Sequence, residues 1–348
     1  SLLETPYAVV EPHTERPATA EDSSAVQAGT YSELVNTVLF FVSQGTEKGL
    51  IQLTDDYDGD VEEDLNRACL EVAKDDPLGA YAVDFIKNDC TKVLTTYEAT
   101  ITISYRRTRE QIRSLVNVTG TSAIRDEVRA ALADFQSEVA LRVGYFTESA
   151  DSIAALVRQA YYDEPAGALG MPEFTVSLSP ASGGQQRIVE ILLTYPEDTQ
   201  ALRQKSDDLQ STADALVLPL RPHQLSPSAR QAELFSLVRE HVRARPDGGP
   251  TAWDALLGDG ADSEGLALAY KLLCDLAGVE CTVVDGTLEE TPRFWTIVTV
   301  EQNVHRHVDP SRAEGLLLTD TQMSESGFVW DTQEYPSCGE SLSETSTT

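Results

Sequence analysis

The spacing of apolar residues along the chain follows two periods, and each period predicts one kind of element. Apolar residues recur at every second position in residues 97–105, which predicts a strand with one buried face. They recur every three or four positions in residues 61–74, which predicts an amphipathic helix. Asp76 and Pro77 follow this helix, and a proline favours a helix end just before it. Helical and strand-like segments are therefore mixed, as in an α+β fold.

This mixture occurs twice in succession. The strand-like segment KGLIQL matches SEVALRV with an offset of 88 residues, and Tyr105 matches Tyr195 with an offset of 90. Each copy has the periodicity of a helix, a strand, a helix and a hairpin. We therefore expect two tandem α+β modules, over residues 31–120 and 121–206. Neither copy contains a catalytic constellation, and the two tyrosines fit strand packing better than ligand binding.

Residues 207–340 are expected to form a further domain after a polar transition over residues 207–225. Ser226 and Pro227 have the form of a helix cap followed by proline in the first turn. A second apolar stripe predicts a helix from Ser263 to Ala277, which Gly278 ends. Three strand-like segments follow, with the sequences CTVVDGT, RFWTIVTV and VHRHVDP.

The two ends of the chain have little to bury. Residues 1–30 contain three prolines, several glutamates and small polar residues, which predicts a flexible acidic tether. Residues 341–348 are expected to be a flexible tail. Because the chain begins at Ser1 without a signal peptide, we expect a mature boundary there and a lipoprotein-type or other surface anchor upstream of it. A tether of this type suits a secreted or surface-anchored bacterial protein.

Charge and cysteine content exclude several classes of function. A net charge of −31 argues against binding nucleic acid or an anionic membrane surface, and no apolar run is long enough to span a bilayer. The five cysteines show no zinc-ligand spacing, so no metal and no cofactor are predicted. Cys69 and Cys274 fit buried thiols, whereas a disulfide between Cys90 and Cys338 is left open. The acidic residues 55–63 fit a solvated turn that caps a helix better than a calcium loop.

The C-terminal segments resemble, in order and spacing, the bacterial transglutaminase-like family, which is related to papain-type cysteine proteases. In that family a Cys begins the core helix, a strand carries a His–x–Trp motif, and the next strand carries His–Val–Asp–Pro. Here GADSEGLA (260–267) resembles the first motif, RFWTIV (293–298) the second, and HVDP (307–310) the third. The closing segment with Trp330 and Tyr335 also resembles the family. The similarity covers roughly residues 226–338.

The resemblance implies a Cys–His–Asp chemistry that this chain lacks in part. The family uses a thiolate at the helix N-terminus, a His as base and acid, and an Asp that orients the His. Ser263 stands at the Cys position and Arg293 at the His position, while Asp309 is retained. A guanidinium cannot accept a proton at neutral pH, so Arg293 is no base. We expect Arg293 to pair with Asp309 instead, and Asp262 or Ser263 to cap the helix.

Two functions remain open on these residues. In the first, the site is degenerate and the protein is a pseudoenzyme that binds a peptide, protein or cell-wall ligand, or serves as an assembly module. Its candidate binding residues are Trp295, His305, His307 and Trp330, although Trp295 fits packing beside the site better than binding. In the second, the protein is an amidase, protease or acyltransferase that uses Ser263 with His305 or His307 and Asp309, since alternation places both imidazoles on the strand face of Asp309. The sequence does not indicate an oligomeric state.

Overall fold

The computed structural model describes residues 19–22 and 25–339, which form a mixed α+β fold. Its helices are α1 (Tyr31–Ser43), α2 (Val61–Lys74), α3 (Pro77–Ala82), α4 (Arg109–Arg113), α5 (Thr121–Ala133), α6 (Ala150–Asp163), α7 (Thr199–Val217), α8 (Pro227–His241), α9 (Ala252–Leu256), α10 (Ser263–Leu276) and α11 (Asp320–Glu325). Its strands are β1 (Thr19–Asp22), β2 (Ala25–Ala28), β3 (Lys48–Leu53), β4 (Val83–Val93), β5 (Thr96–Tyr105), β6 (Val116–Val118), β7 (Glu138–Val143), β8 (Glu173–Ser179), β9 (Arg187–Thr194), β10 (Ala244–Gly249), β11 (Cys281–Leu288), β12 (Thr291–Glu301), β13 (Val304–Val308) and β14 (Phe328–Val329). Among these helices, none combines the length and the hydropathy needed to cross a bilayer.

The contacts within the chain define two compact units. The first contains the described residues up to Ile124, together with Ala140–Ala150 and Val176–Ile191. The second contains Arg125–Val139, Asp151–Thr175 and the described residues from Leu192 onwards. All candidate site residues belong to the second unit.

A five-stranded sheet organises the first unit, with the strand order β1-β2-β3-β5-β4. Strands β2 and β3 are parallel, and the other neighbours are antiparallel. Ile51 and Leu53 of β3 are fully buried, as their alternation with polar residues predicts. Helix α2 buries Leu65 and Val72 on one stripe, and Asp60 caps its N-terminus by accepting a hydrogen bond from the backbone N–H of Glu63 (3.0 Å).

The tether expected over residues 1–30 is wrong at its C-terminal end. Strands β1 and β2 lie within this segment, and β2 pairs with β3 in the register Val26 to Ile51. Ala28 is fully buried, and Val26 packs against the core of the first unit. The segment was misread because β2 has only four residues, two alanines, a valine and a glutamine, which give almost no hydrophobic signal. The remaining tether residues and the predicted tail at 341–348 lie outside the described residues.

The element order supports the two tandem modules, which remain a prediction. Helix, strand, helix, hairpin and helix occur in this order both from α1 to α4, where α3 is an additional short helix, and from α5 to α7. The strand orders β2-β3-β5-β4 and β6-β7-β9-β8 also correspond, and each begins with a parallel pair. A short strand therefore precedes the first helix in both copies. On this pattern the predicted boundaries at residues 31 and 121 would each move a few residues earlier.

Helix α7 overturns the polar transition predicted over residues 207–225. It runs without interruption from Thr199 to Val217, so the expected domain boundary between residues 206 and 207 falls in the middle of a helix. Leu202, Leu209 and Ala213 lie on its buried stripe. This stripe was missed because twelve of the nineteen residues of the helix are charged, amide or hydroxyl residues, which gives the segment the composition of a linker.

The second unit contains the segment that resembles the transglutaminase-like family. Its sheet has the order β13-β12-β11-β14 and is antiparallel throughout. Helix α10 packs on β11 and β12. The bounds of α10 and of strands β11, β12 and β13 lie close to those predicted from the sequence. Gly278 has a φ of +72°, the left-handed conformation that commonly follows a helix C-terminus. Ser226 caps α8 as predicted.

All five cysteines are free thiols in this structure, so the disulfide left open between Cys90 and Cys338 is not formed. Cys69 and Cys274 are buried, as expected for small apolar side chains.

Candidate functional site

The N-terminus of helix α10 is held by a side-chain cap and by close backbone packing. Asp262 is the N-cap residue, and its carboxylate accepts a hydrogen bond from the backbone N–H of Gly265 (3.1 Å). A Cβ atom at Gly265 would lie 2.7 Å from the carbonyl oxygen of Thr251, which is closer than real side chains come. Glycine is therefore required for the helix to approach this loop. Ser263 follows as the first helical residue.

The hydroxyl of Ser263 is hydrogen-bonded to strand β12. Its Oγ accepts a hydrogen bond from the backbone N–H of Phe294 (3.1 Å), and the side chain is partly buried. The Phe294 ring in turn contacts the ring of Tyr162, with centroids 5.5 Å apart. Of the two predicted caps, Asp262 forms the cap and Ser263 joins the helix to the sheet. A serine in this arrangement acts as an acceptor for a structural hydrogen bond.

Arg293 and Asp309 form the ion pair that the sequence predicts. The Nη2 atom of Arg293 lies 2.8 Å from Oδ2 of Asp309, whose side chain is fully buried. The other carboxylate oxygen, Oδ1, accepts the backbone N–H of Ser311 (3.0 Å). The Arg293 side chain retains 22% of its exposure, and its Nε has no hydrogen-bond partner among the described residues. The pair is therefore made end-on through one N–H group.

Arg293 contributes no proton acceptor to this pair. A guanidinium has only donor groups and stays protonated over the accessible pH range. Asp309 uses both oxygens in hydrogen bonds, one to the guanidinium and one to a backbone N–H. The charge of Arg293 thus compensates a buried carboxylate that would otherwise have no cationic partner.

His307 is fully buried and has a defined tautomer. Its Nδ1 accepts the indole N–H of Trp295 (3.0 Å), so the ring proton resides on Nε2, which donates to Oδ1 of Asp320 (2.7 Å). Burial lowers the pKa of His307, although the hydrogen bond to Asp320 opposes this shift. Protonation would put two N–H groups face to face at Nδ1. His307 is therefore a neutral structural residue whose lone pair is already in use.

The alternative triad of Ser263 with His305 or His307 and Asp309 is not assembled. His305 lies opposite Thr299 in the β12–β13 register, and its Nδ1 is 3.1 Å from the Thr299 hydroxyl. His307 is occupied by Trp295 and Asp320. Among the described residues, the hydrogen-bond partner of the Ser263 hydroxyl is the Phe294 N–H rather than an imidazole. The alternation of residues in β13 correctly predicted the strand that carries both imidazoles, but neither imidazole is hydrogen-bonded to Ser263 on helix α10.

The candidate binding residues divide by exposure. Trp295 is fully buried and packs edge-on against Phe328 and Trp330, with centroids 5.0 and 6.0 Å away. Like the buried His307, it cannot touch a ligand in this conformation. Trp330 and His305 are partly exposed and remain accessible. The predicted packing role of Trp295 agrees with these contacts.

His307, Asp320 and Cys338 bring three groups of metal-ligand type close together. One ligand atom from each lies within 4.8 Å of the others. In the observed tautomer, however, Nε2 of His307 carries the proton that it donates to Asp320, so it has no lone pair for a metal. Asp320 also accepts the backbone N–H of Cys338 (3.0 Å). The trio is therefore built as a hydrogen-bond network.

Sequence reasoning missed a group of acids around Ser263. Burial raises the pKa of Glu264 to about 7, and the nearby Asp262 carboxylate adds to the shift. Burial also raises the pKa values of Asp262 and Asp285. Oε1 of Glu264 lies 3.4 Å from the Tyr162 hydroxyl, a long hydrogen bond. Glu264 is in the first turn of α10 beside Ser263, which could have identified it, but Tyr162 lies 102 residues away and carried no signal.

Comparisons with known proteins give only distant similarities. No protein-family model matches the sequence, and no curated protein matches it. A crystal structure described as a TGase is similar over 61% of this chain and 64% of its own, with 13% identity and a TM-score of 0.28. A structure described as a candidate protease from Parabacteroides distasonis is similar over 75% of this chain and 39% of its own, with 9% identity and a TM-score of 0.23. The chain thus spans less than two thirds of either protein, and TM-scores this low do not establish a shared fold.

Proposed function

We propose that the second unit contains a transglutaminase-like domain with a degenerate triad, over roughly residues 226–338, and that the protein binds a peptide, protein or cell-wall ligand without processing it. The observation that carries the proposal is the ion pair between Arg293 and the buried Asp309. In an active site of the resembled family, the position of Arg293 would hold the base. A guanidinium there both removes the base and satisfies the carboxylate that once oriented it.

The state of Ser263 supports the same proposal. A serine hydroxyl is a weak nucleophile unless a base accepts its proton. Its Oγ accepts the Phe294 N–H instead, and the two nearby imidazoles bond to other groups. The helix dipole still favours negative charge at this position, but an alcohol does not ionise under its influence alone.

The proposal also covers the rest of the chain. The two α+β modules would precede this domain, and the corresponding strand orders support their relationship. An extracellular or surface-anchored position in a bacterium rests on the composition of residues 1–30 alone. The partly exposed Trp330 and His305 are the side chains through which a ligand could be contacted.

The proposal is tested by restoring the chemistry that it says is lost. The wild-type protein, Ser263→Cys, Arg293→His and the double variant would be assayed for transfer of a fluorescent primary amine to casein and for release of ammonia or peptide fragments. We expect activity in the double variant only, because a thiolate needs both the sulfur and its base. Circular dichroism would confirm that every variant is folded.

The decisive contrary result comes from the wild-type protein. If it cleaves or exchanges amide bonds, and Ser263→Ala abolishes that activity while the fold is retained, the proposed pseudoenzyme is wrong. Inactivity of a folded double variant against casein would also count against the degenerate-triad assignment, since the restored pair would then not behave as a catalytic unit.

A further inference from the structure

A cavity of about 580 Å³ lies at the C-terminal end of helix α10, away from Ser263. Helix α10 has 14 residues, so at a rise of about 1.5 Å per residue its two ends are roughly 20 Å apart. The cavity is lined by the end of α10, the start of β11, the β12–β13 hairpin and two arginines of α5. Its volume is in the range of small-molecule sites. It is therefore distinct from the degenerate site.

A buried lysine forms the polar floor of this cavity. Lys271 lines it and is only 7% exposed. Its ammonium donates to Oδ1 of Asp275 (3.0 Å) and to the carbonyl oxygen of Cys281 (2.8 Å). An ammonium has three N–H donors, so one remains beyond these two bonds. Nearby carboxylate and thiol groups raise the pKa of Lys271 despite its burial, so it stays charged at neutral pH.

Two arginines add further donors to the wall of the cavity. Nε and Nη2 of Arg125 both donate to Oδ2 of Asp163, at 2.9 and 2.5 Å, which leaves the Nη1 group unused. Nε of Arg129 donates to Oε1 of Glu164 (2.9 Å), which leaves both of its Nη groups unused. These ion pairs hold the guanidinium planes in place. Fixed, charged donors are the groups that recognise a carboxylate.

The charge of the lining differs from that of the chain as a whole. Three cations (Arg125, Arg129 and Lys271) face three carboxylates (Asp163, Asp275 and Glu280) in the cavity wall, whereas the chain carries a net charge of −31. A lining with equal numbers of both signs does not repel a small carboxylate, as the rest of the surface would. It also supplies carboxylates for an ammonium group. A doubly charged anion would be less well matched.

A second cavity of about 260 Å³ adjoins the first. The two share Gly278, Val279, Glu280 and Thr299 as lining residues. The second adds apolar and amide groups, including Val300 and Gln302, and the charged side chains of Arg230 and Glu301. The combined space suits a ligand with charged ends and a short uncharged middle.

We propose that this cavity is a binding site for a zwitterionic small molecule of dipeptide size, whose carboxylate is bound by Lys271 and the α5 arginines and whose ammonium is bound by Asp275 or Glu280. The proposal is independent of catalysis at Ser263, because the cavity lining contains none of Ser263, Arg293 and Asp309, although His305 both lines the cavity and is a candidate contact of the proposed function. Binding at the cavity and catalysis at Ser263 can therefore fail separately.

Isothermal titration calorimetry on the full chain tests the site with four named probes. These are alanyl-alanine, N-acetyl-alanyl-alanine, alanyl-alanine amide and inorganic phosphate. We expect alanyl-alanine to bind most tightly and each blocked form to bind about tenfold or more weakly, since a lost hydrogen bond to a charged group commonly changes affinity by at least that factor. Phosphate serves to separate a general anion site from a zwitterion site.

Variants distinguish this cavity from the rest of the surface. Lys271→Met and Arg125→Gln should each weaken alanyl-alanine binding about tenfold or more. Arg125 is 39% exposed on its side chain, so Arg125→Gln should fold even if Lys271→Met does not. Arg203→Gln is the matched control, because Arg203 is also half-exposed and lies 3.8 Å from Asp134 but does not line the cavity. Its affinity should equal that of the wild type.

Three outcomes would overturn the proposal. The first is no heat of binding for alanyl-alanine at millimolar concentration. The second is equal affinity for the free and blocked dipeptides, or tighter binding of phosphate than of alanyl-alanine. The third is a loss in Arg203→Gln as large as in Arg125→Gln, which would mean that general surface charge governs binding.

Discussion

Two buried polar networks lie in the same sheet of the second unit, and their buried polar groups are stabilised in different ways. In one, Asp309 is ionised and is compensated by the charge of Arg293. In the other, His307 is neutral and is fixed between the donor of Trp295 and the acceptor of Asp320. Removing the charge of Arg293 should destabilise the first network, and adding a proton to His307 should destabilise the second. Among the described residues, the Ser263 hydroxyl is hydrogen-bonded to the Phe294 N–H and not to a member of either network.

This difference fits the proposal that the site is non-catalytic, although it retains an acid, two imidazoles and a hydroxyl. Catalysis by acid and base requires a group that changes protonation near neutral pH and can reach the nucleophile. Arg293 cannot change protonation, and His307 could do so only by breaking its bond to Trp295. Glu264, whose pKa burial raises to about 7, follows Ser263 in the helix, but its hydrogen bond among the described residues is to the Tyr162 hydroxyl and not to Ser263. The two networks can therefore be separated experimentally by how each responds to loss of a partner and to pH.

The largest expected effect is on the charged network. Arg293→Ala leaves the Asp309 carboxylate buried without its cation, and removal of one partner of a buried pair typically costs about 3–5 kcal/mol. Because Arg293 is 22% exposed, we expect the lower end, about 3 kcal/mol, in the free energy of unfolding measured with urea. Arg203→Ala, which removes an exposed partner of Asp134, should cost no more than about 1 kcal/mol.

A double variant sharpens the same measurement. Arg293→Met with Asp309→Asn removes both charges but keeps an oxygen to accept the Ser311 N–H. It should be more stable than Arg293→Ala, because no uncompensated charge remains. If Arg293→Ala destabilises no more than Arg203→Ala does, the ion pair does not compensate Asp309, and the contrast between the two networks is lost.

The network around the neutral His307 should make the free energy of unfolding depend on pH. Burial lowers the pKa of His307, so the folded protein binds fewer protons than the unfolded chain as the pH falls below about 6.5. Stability due to this group is therefore present above the unfolded pKa and is lost as the pH falls towards the folded pKa, with a slope of at most about 1.4 kcal/mol per pH unit.

Replacement of His307 tests this sign. His307→Leu leaves the Trp295 N–H buried without an acceptor, which should cost about 2 kcal/mol at pH 8. The difference from the wild type should shrink at pH 5.5, because the variant no longer has to exclude that proton. His305→Leu is the control, since His305 is only partly buried. A constant difference between pH 8 and pH 5.5 would show that His307 is not held neutral.

The elements around helix α10 were easier to predict from the sequence than the domain boundaries, because their sequence patterns act over a few residues. Helix α10 and the strands around it were predicted from apolar period, from Asp262 or Ser263 as a cap and from Gly278 as a stop, all of which act within a few residues. The pairing of Arg293 with Asp309 was also predicted, because the family that the segment resembles has a His–Asp hydrogen bond at these two positions. Strand β2 and the stripe of α7 were missed because small or polar residues dilute their periodicity.

The remaining site features depend on contacts distant in sequence. The tautomer of His307 is set by Trp295 and Asp320, 12 and 13 residues away and on different elements. The raised pKa of Glu264 depends on burial that no local pattern reports. The cavity at the end of α10 joins Arg125 to Lys271, which only tertiary packing brings together. Periodicity gives the face of an element but not what packs on it.

The smallest expected effect concerns Ser263 itself, and its sign separates the two functions. If the hydroxyl serves only as an acceptor for the Phe294 N–H, Ser263→Ala should destabilise the protein by about 1 kcal/mol, similar to Asp262→Ala, which removes the helix cap. Catalytic groups are commonly held at a cost in stability, so removing a working nucleophile tends to leave the free energy of unfolding unchanged or to raise it. Urea unfolding of both variants at pH 8 measures the difference. The contrary result would be a Ser263→Ala protein that is more stable than the wild type while Asp262→Ala is destabilised. It would mean that the Ser263 hydroxyl serves catalysis and that the non-catalytic interpretation of the site is wrong.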